Sequence, residues 1–530
     1  MRFIPFAIAL SLVPIGLLIT PFHPWWGGWL ALAGGLLGAL GLQDLLQTKS
    51  AVLKNYPLSA RMRFILENFR PEIRQYFIES DRDETPFSRE QRALVYRRAK
   101  GIDGLRPFGT LEDVEAVGHE WINHSMKPTH LQGHDFRVTI GGPDCKRPYE
   151  ASVLNISGMS YGALSPNAIE ALNRGAKLGG FAHTTGEGSI SRFHRKWGGD
   201  LVWQIGSGYF GCRKPDGSFC PDRFTENARD EQVKMIEIKL SQGAKPGHGG
   251  ILPGNKVTEA IAEARGIPEG QDCISPSCHS AFETPEEMCA FIVRLREMSG
   301  GKPVGIKLCV GHPWEWFAVA KAMKKTGITP DFITVDGAEG GTGAAPAEFA
   351  DHYGAPLREG LMLVHNTLVG LDLRDRIRII ASGKIISAFD ICRMFALGAD
   401  ACNMARGFMF AVGCIQAQAC HTGKCPTGVT TQDPRRYRAL VVEDKYLRTA
   451  SFHANTLHTL REAVEASGLT HPRDLTPHHL MIRISSRETR SAASQYLWLG
   501  KGELLKRAPK HPAFEKYWEM ARPEAFAPAA

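Results

Sequence analysis

Cys414, Cys420 and Cys425 lie in one short run, GCIQAQACHTGKCPTG, with the spacing C-x5-C-x4-C and Pro426 directly after the last cysteine. Three thiolates this close, closed by Cys-Pro, suit an iron–sulfur cluster, which is held by cysteine thiolates. A structural zinc site would instead show C-x2-4-C pairs and a fourth ligand. The run has no C-x2-C pair, and His421 is its only imidazole. The chain has 12 cysteines, and cysteine is often simply buried, so core packing is a second reading of the spacing. A cluster moves electrons, which directs the search to a second redox cofactor.

Two stretches could hold a phosphate of that cofactor. RIRII runs into Ala381-Ser382-Gly383-Lys384, and ACNMA runs into Arg406-Gly407. The last two strands of a (β/α)8 barrel often end in a phosphate site built from backbone N–H groups. A flavin mononucleotide (FMN) would place its phosphate there; ordinary strand–helix turns also use Gly and Ser. Two more glycine-rich turns are EGGTGAAP, with Gly340, Gly341 and Thr342, and KPGHGGILPGNKV, with Lys245. On glycine content alone these are surface loops, and neither is a Rossmann fingerprint or a P-loop. No second nucleotide domain for NAD(P)H stands out. Lys307 in GIKLCV sits on a strand. There it either meets an anion, such as a flavin N1–C2=O, or snorkels to the strand end.

These residues need a scaffold. From about residue 135, short β-rich runs alternate with helical stretches over roughly 300 residues, which argues for a parallel α/β fold. A (β/α)8 (TIM) barrel is expected over 131–435, with the chemistry at the C-terminal ends of its strands. Residues 45–130 read as a helical connecting and capping region. Residues 436–530 read as a helical extension whose Ala/Pro-rich end should fray.

At 530 residues the chain is too long for one simple core. Its 43% hydrophobic and 22% charged content is that of a folded protein. Residues 3–21 and 25–42 carry no charge, and each could cross roughly 30 Å of hydrocarbon as a helix. Residues 1–44 are therefore expected to be a two-helix transmembrane anchor, with Trp25 and Trp26 at an interface. A cleaved signal peptide is the competing reading. Lys49, Lys54, Arg61, Arg63, Arg70 and Arg74 follow, so the positive-inside rule puts the catalytic part on the cytoplasmic side of the inner membrane. The net charge of +8 is spread out, and nothing marks a nucleic-acid partner.

From Ile156 to Pro434 the chain resembles the synthase portion of glutamate synthase. The resemblance runs in order through ISGMSYGALS, TTGEGS, IGSGYFG, IKLSQGAKPGHGGILPGNKV, ISPSCH, GIKL, EGGTGAAP, LRDRIRIIASGK and GCIQAQACHTGKCPTGVTTQDP. It implies FMN and a 3Fe-4S cluster on a (β/α)8 barrel. Carried over, it makes Met159, Ser160, Gly162, Gln204, Ser207, Lys307, Gly340, Gly341 and Thr342 flavin contacts. Ser382, Gly383, Lys384, Arg406 and Gly407 fall at the phosphate end, and Cys414, Cys420 and Cys425 match the cluster ligands. Glu187, Lys245 and Arg265 match positions near 2-oxoglutarate, with Glu187 and Lys245 as the catalytic pair. Arg and Lys suit a dicarboxylate, and a glutamate beside an imine could protonate nitrogen.

The chain also departs from the family. It begins Met1-Arg2 with an apolar segment, where the full enzyme has a glutaminase with an N-terminal cysteine nucleophile. Ile251 stands where the family has glutamine, and His248 where it has an acidic residue. Ser277, Cys278 and Ser280 alter a Pro/His-rich run and leave His279.

The resulting expectation is a membrane-anchored oxidoreductase acting on CH-NH2 donors. It would reduce the imine of a 2-oxo acid, 2-oxoglutarate first among candidates, to an amino acid. Ammonia or an amine would supply nitrogen, and ferredoxin, a reductase subunit or quinol would supply electrons. A homo-oligomer is compatible with this. The alternatives are an FMN-dependent amine or 2-hydroxy-acid dehydrogenase feeding the membrane, and a non-catalytic membrane-tethered sensor.

Overall fold

The computed structural model describes residues 2–102, 104–105, 107–247, 249–506 and 510–529. The chain divides into two units, Met1–Glu90 and Gln91–Ala530.

In the first unit, helices α1 (Ile4–Ile19) and α2 (Pro24–Leu46) pack antiparallel. The seam is made by small residues. Gly27, Gly34, Gly38 and Gly41 are buried along one face of α2. A Cβ on Gly34 would come within 2.8 Å of Leu12, and one on Gly27 within 2.6 Å of the Thr20 Cα. Small residues allow this close approach, as in membrane helix pairs. The other faces expose Trp25, Trp26, Trp29, Leu32 and Leu36. Helix α2, at 23 residues, is long and apolar enough to cross a membrane. Helix α1 has 16 residues, about 24 Å of rise, so it is shorter than the 3–21 stretch anticipated. Asp44, 1% exposed, forms a 2.7 Å ion pair with Arg61 and accepts the Leu58 N–H at 3.0 Å. That pairing ties the end of α2 to the helix Ser59–Ile73.

The second unit is built on eight parallel strands. They are β1 (Leu154–Ile156), β2 (His183–Thr184), β3 (Leu201–Ile205), β4 (Val233–Lys239), β5 (Val304–Leu308), β6 (Phe332–Asp336), β7 (Arg378–Ser382) and β8 (Ala401–Met404). Strand β8 pairs with β1 and closes the barrel, as the alternating pattern anticipated. The connecting helices are α3 (Pro166–Gly179), α4 (Pro221–Ala228), α5 (Pro285–Met298), α6 (Pro313–Thr326), α7 (Leu357–Gly370) and α8 (Ala388–Ala396). Between β2 and β3 the crossover holds only the turn Arg192–Arg195. Helix starts are written locally: Ser165 caps α3 ahead of Pro166, and Thr284 with Glu287 forms a capping box on α5. After β8 come α9 (Arg406–Ala411), the cysteine loop and α10 (Val442–Ala466).

The barrel interior changes character along its axis. At the N-terminal end Ala182, Val202, Met235, Phe332, Ile380 and Ala401 form a core with Ile140 and Ala151. The last two belong to a hairpin, Arg137–Ile140 paired with Tyr149–Ser152, which closes that end. Phe332 fits because residue 305 is glycine; a Cβ there would sit 2.6 Å from its ring. Two residues further along the same strands stand Gln204, Glu237, Lys307, Thr334, Ser382 and Asn403, all buried. A strand repeats its facing every two residues, so the polar layer follows directly above the apolar one. A polar C-terminal layer is where barrels of this type keep their chemistry.

The flanking regions differ from the helical expectation. Glu120–Ile122, Leu480–Arg483 and Thr489–Ser491 form a three-stranded antiparallel sheet. Leu480 and Ile482 are buried while Met481 and Arg483 are half-exposed, a period-two pattern. Nor does the chain fray after 510. Phe514 is 2% exposed and stacks on Phe317 of α6 at 5.2 Å. Lys321 donates to the carbonyls of Trp518 (2.5 Å) and Ala521 (2.9 Å). Two aromatic anchors outweigh the Ala/Pro composition.

Candidate active site at the polar mouth of the barrel

The loop after β2 presents Glu187, and β4 ends at Lys239. The Lys239 ammonium lies 3.1 Å from the Glu187 carboxylate, with side chains 10% and 21% exposed. Burial pushes the Glu187 carboxyl up, but Lys239, with Lys245 and Arg265, outweighs it and holds the group below its usual range. Burial draws the Lys245 ammonium down despite the attraction of Glu187. The three residues expected near a dicarboxylate are thus brought together. Lys239 was missed, although a lysine ending the strand run IEIK was a legible sign. Glycines make room for Glu187: a Cβ on Gly206 would lie 2.9 Å from one carboxylate oxygen, and one on Gly250 3.0 Å from the other.

Arg265 closes the helix Glu259–Arg265 and is 7% exposed. It donates to the Tyr161 carbonyl at 3.2 Å and packs 5.0 Å from the Phe210 ring centroid. A Cβ on Gly162 or Gly188 would come 3.2 Å from its guanidinium. Gly162 therefore serves this arginine's seat. Ser160 accepts the Gly188 N–H at 3.2 Å, and buried Met159 precedes it, so the ends of β1 and β2 lock together.

His279 is a strut. One ring nitrogen meets the Lys239 carbonyl at 2.9 Å and the other the Tyr209 hydroxyl at 3.1 Å. Burial keeps the ring below its usual pKa and hence neutral. Ser207 donates to the Pro276 carbonyl at 2.5 Å, fastening the same segment. His248 and the side chain of Ile251 lie outside the described residues.

The interior polar layer is a connected network. Gln204 donates to Glu237 at 2.5 Å and Thr334 donates to its other oxygen at 2.6 Å. Lys307 does meet an anion: Asp336 at 3.5 Å, both side chains nearly buried. Burial would lower the Lys307 ammonium, but Asp336 and Glu237 outweigh it and hold it above its usual value. Asp336 and Glu237 are thus the protein's own counter-ions to this lysine at the polar mouth.

At β6, β7 and β8 the loops interlock. The Ser382 hydroxyl is 3.2 Å from that of Ser157. Gly383 has φ +148° and would place a Cβ 3.3 Å from the Gly337 nitrogen, so only glycine suits this crossing. Lys384 is exposed. Arg406 donates to the Thr342 carbonyl at 2.9 Å and passes 3.1 Å from a Cβ built on Gly341, next to Gly340. A Cβ on Gly407 would lie 3.2 Å from the Phe452 ring of α10, so its small size serves packing. The Asn403 side-chain oxygen is buried without a partner.

The cysteine loop follows α9. Cys414 and Cys425 are buried and Cys420 is half-buried. Burial raises the Cys414 thiol to about 11, and the Cys420 and Cys425 thiols push it the same way against Arg406. Burial also acts to raise Cys425, but hydrogen bonds from Thr427 and Thr430 bring it below its usual value. Among the described residues, no three His, Cys, Asp or Glu side chains converge on a single metal ion. Tyr96 donates to the Cys414 carbonyl at 2.6 Å and holds the loop's entry.

The unpartnered Asn403 oxygen lies on β8 beside Ser382, at the end of the barrel where the sequence placed a phosphate, and glycines at 341 and 383 let the loops there cross closely. Cys414, Cys420 and Cys425 share one loop.

Known proteins bear on this site. The family model for the conserved region in glutamate synthase matches residues 136–470. The glutamate synthase large subunit-like protein YerD of Bacillus subtilis is 37% identical over 483 residues, 83% of this chain and 91% of that protein. The archaeal-type glutamate synthase (NADPH) of Thermotoga maritima is 35% identical over 314 residues, and the match spans 59% of each chain. Among solved structures, a flavocytochrome b2 mutant with pyruvate bound aligns at 12% identity and a TM-score of 0.42, covering 89% of this chain and 95% of that one. A mandelate oxidase mutant aligns at 16% identity with the same TM-score, covering 76% and 98%. By its matched region and its relatives, the chain belongs to the glutamate synthase family, a family of oxidoreductases.

Proposed function

We propose that this chain is an FMN- and 3Fe-4S-dependent oxidoreductase that reduces the imine of a 2-oxo acid, 2-oxoglutarate in the first instance, to an amino acid. The observation that carries the reading is the cluster of Lys239, Lys245 and Arg265 around Glu187 at the polar mouth of the barrel. Ser382, Gly383, Lys384 and Arg406 would hold the flavin phosphate, and Cys414, Cys420 and Cys425 the cluster. When bound, the flavin supplies hydride transfer and the cluster one-electron transfer.

The protein's own residues do the rest. Arg265 and Lys245 offer charge-assisted contacts to a dicarboxylate. Glu187, kept ionised by Lys239, stabilises an iminium and steers ammonia or an amine nitrogen, exchanging its proton at the carboxylate oxygens. The carbonyl contact from His279 fixes the backbone of Lys239. The relatives' names imply a small-molecule substrate and an electron partner. For this chain we place ferredoxin, a reductase subunit or quinol in the latter role.

The hairpin α1–α2 is proposed as a membrane anchor, supported by its exposed apolar faces and small-residue seam, with the barrel on the cytoplasmic side. The test is spectroscopic. Detergent-purified protein should show flavin absorbance and, as isolated, the paramagnetic signal of an oxidised three-iron cluster. A flavin spectrum without that signal would remove the cluster, and absence of both would remove the reading.

A further inference from the structure

Outside the acid–base cluster, a cleft of about 260 Å³ lies on the flank of the barrel between the turn after β2, the loop after β3, α4 and the helix Glu259–Arg265. Arg192, Arg195, Arg213, Arg223 and Arg265 line it, and among the described residues Glu263 is its one acidic wall. Arg195 is committed to the fold through Asp230 and Asn227. Arg192 stands 3.7 Å from Glu263 with both side chains largely exposed, a pairing worth little. Among the described residues, Arg213 and Arg223 face no carboxylate within ion-pairing distance, and Arg223 instead meets the Arg213 carbonyl.

The geometry draws these two together with Arg265. Arg223 donates to the Arg213 carbonyl at 3.1 Å. A Cβ on Gly266, directly after Arg265, would lie 3.8 Å from an Arg223 nitrogen and 3.9 Å from Arg213. Arg213 and Arg265 both sit over the Phe210 ring, 5.5 and 5.0 Å from its centroid. With Arg195 balanced by Asp230, the guanidiniums of Arg192, Arg213, Arg223 and Arg265 crowd together with only Glu263 and the more distant Glu187 to offset them, and repel one another unless an anion joins them. Arginine's planar fork suits bidentate contacts to carboxylate and phosphate alike.

We propose that this cleft is a second ligand site, for a compact polyanion bearing at least two phosphate or carboxylate groups. Its volume of about 260 Å³ suits a compact ligand. Arg265 is the wall it shares with the Glu187 cluster, so an anion here is felt at the catalytic mouth.

The test is calorimetric titration of the purified full chain with pyrophosphate and, separately, citrate. It needs no turnover and stands apart from the proposed reaction. The expected result is saturable one-to-one binding of at least one probe, and the stronger probe identifies phosphate or carboxylate as the preferred chemistry. Arg213→Gln with Arg223→Gln should weaken it at least tenfold and leave the thermal midpoint unchanged. The exposed control pair Arg487→Gln with Lys506→Gln should leave binding intact. Absence of saturable binding by both probes overturns the proposal, as does equal weakening by both pairs, which means diffuse charge attraction.

Discussion

The Lys239 ammonium stands 3.1 Å from the Glu187 carboxylate, joining the end of β4 to the loop after β2. Lys239 is the counter-ion that keeps a half-buried acid ionised. Replacing it as Lys239→Gln leaves burial to dominate and raises the Glu187 pKa. The acid limb of the kcat/KM pH profile should move to higher pH, with a loss of about 10²-fold near neutrality. A profile of unchanged shape and height would show that the pair has no catalytic weight.

Gly206→Ala separates packing from chemistry. Its new methyl meets the Glu187 carboxylate, the far end of a flexible side chain. We expect less than about 1 kcal/mol of lost stability and a large loss of activity, because the carboxylate must move. Gly243→Ala is the contrast: its methyl meets the backbone carbonyl of Gly337, so it should cost about 1–3 kcal/mol in urea unfolding.

Asp336→Ala strips Lys307 of its 3.5 Å partner and frees the Gly243 N–H, which Asp336 accepts at 2.9 Å. Breaking a buried ion pair costs about 3–5 kcal/mol, less here because Glu237 still faces Lys307. Chemical unfolding should report a loss of about 2–4 kcal/mol, and a loss below about 1 kcal/mol would contradict the pairing.

Acid should weaken the second unit through its buried histidines. Burial holds His183 and His453 at about 3 and His365 at about 4, against about 6.5 in an unfolded chain. Each is neutral when folded, so unfolding takes up a proton below the unfolded value. Their contribution is complete above pH 6.5 and is lost as pH falls towards the folded values. Burial also holds His194 well below its usual value, so four such groups give a slope of about 5 kcal/mol per pH unit between about pH 6 and 4. Unfolding midpoints across that range should show it, and His453→Gln should flatten the slope by about a quarter.

The barrel was legible because each strand run carried its own signal. GIKL, DFITVD, RIRIIAS and ACNM are strands nearly as read. The charged residues near Glu187 were legible through resemblance, yet their mutual geometry was not. Lys239 lies 52 positions from Glu187, and the parallel pairing of β2, β3 and β4 brings them together. Lys307 shows a related limit: the sequence said that a strand lysine needs an anion, but not that Asp336, on the neighbouring strand, supplies it. The C-terminal sheet was missed because Leu480–Arg483 is too short for its alternation to stand out. The packed tail was missed because Phe514 and Trp518 were outweighed in reading by alanine and proline.

The most direct test of the central claim is anaerobic. Protein reduced by photochemistry is mixed with 2-oxoglutarate and ammonia while the flavin absorbance is followed. Rapid reoxidation with formation of glutamate, slowed at least about 10²-fold in Glu187→Gln, is the result predicted. Flavin that stays reduced with 2-oxoglutarate and with a broad panel of other 2-oxo acids would contradict it.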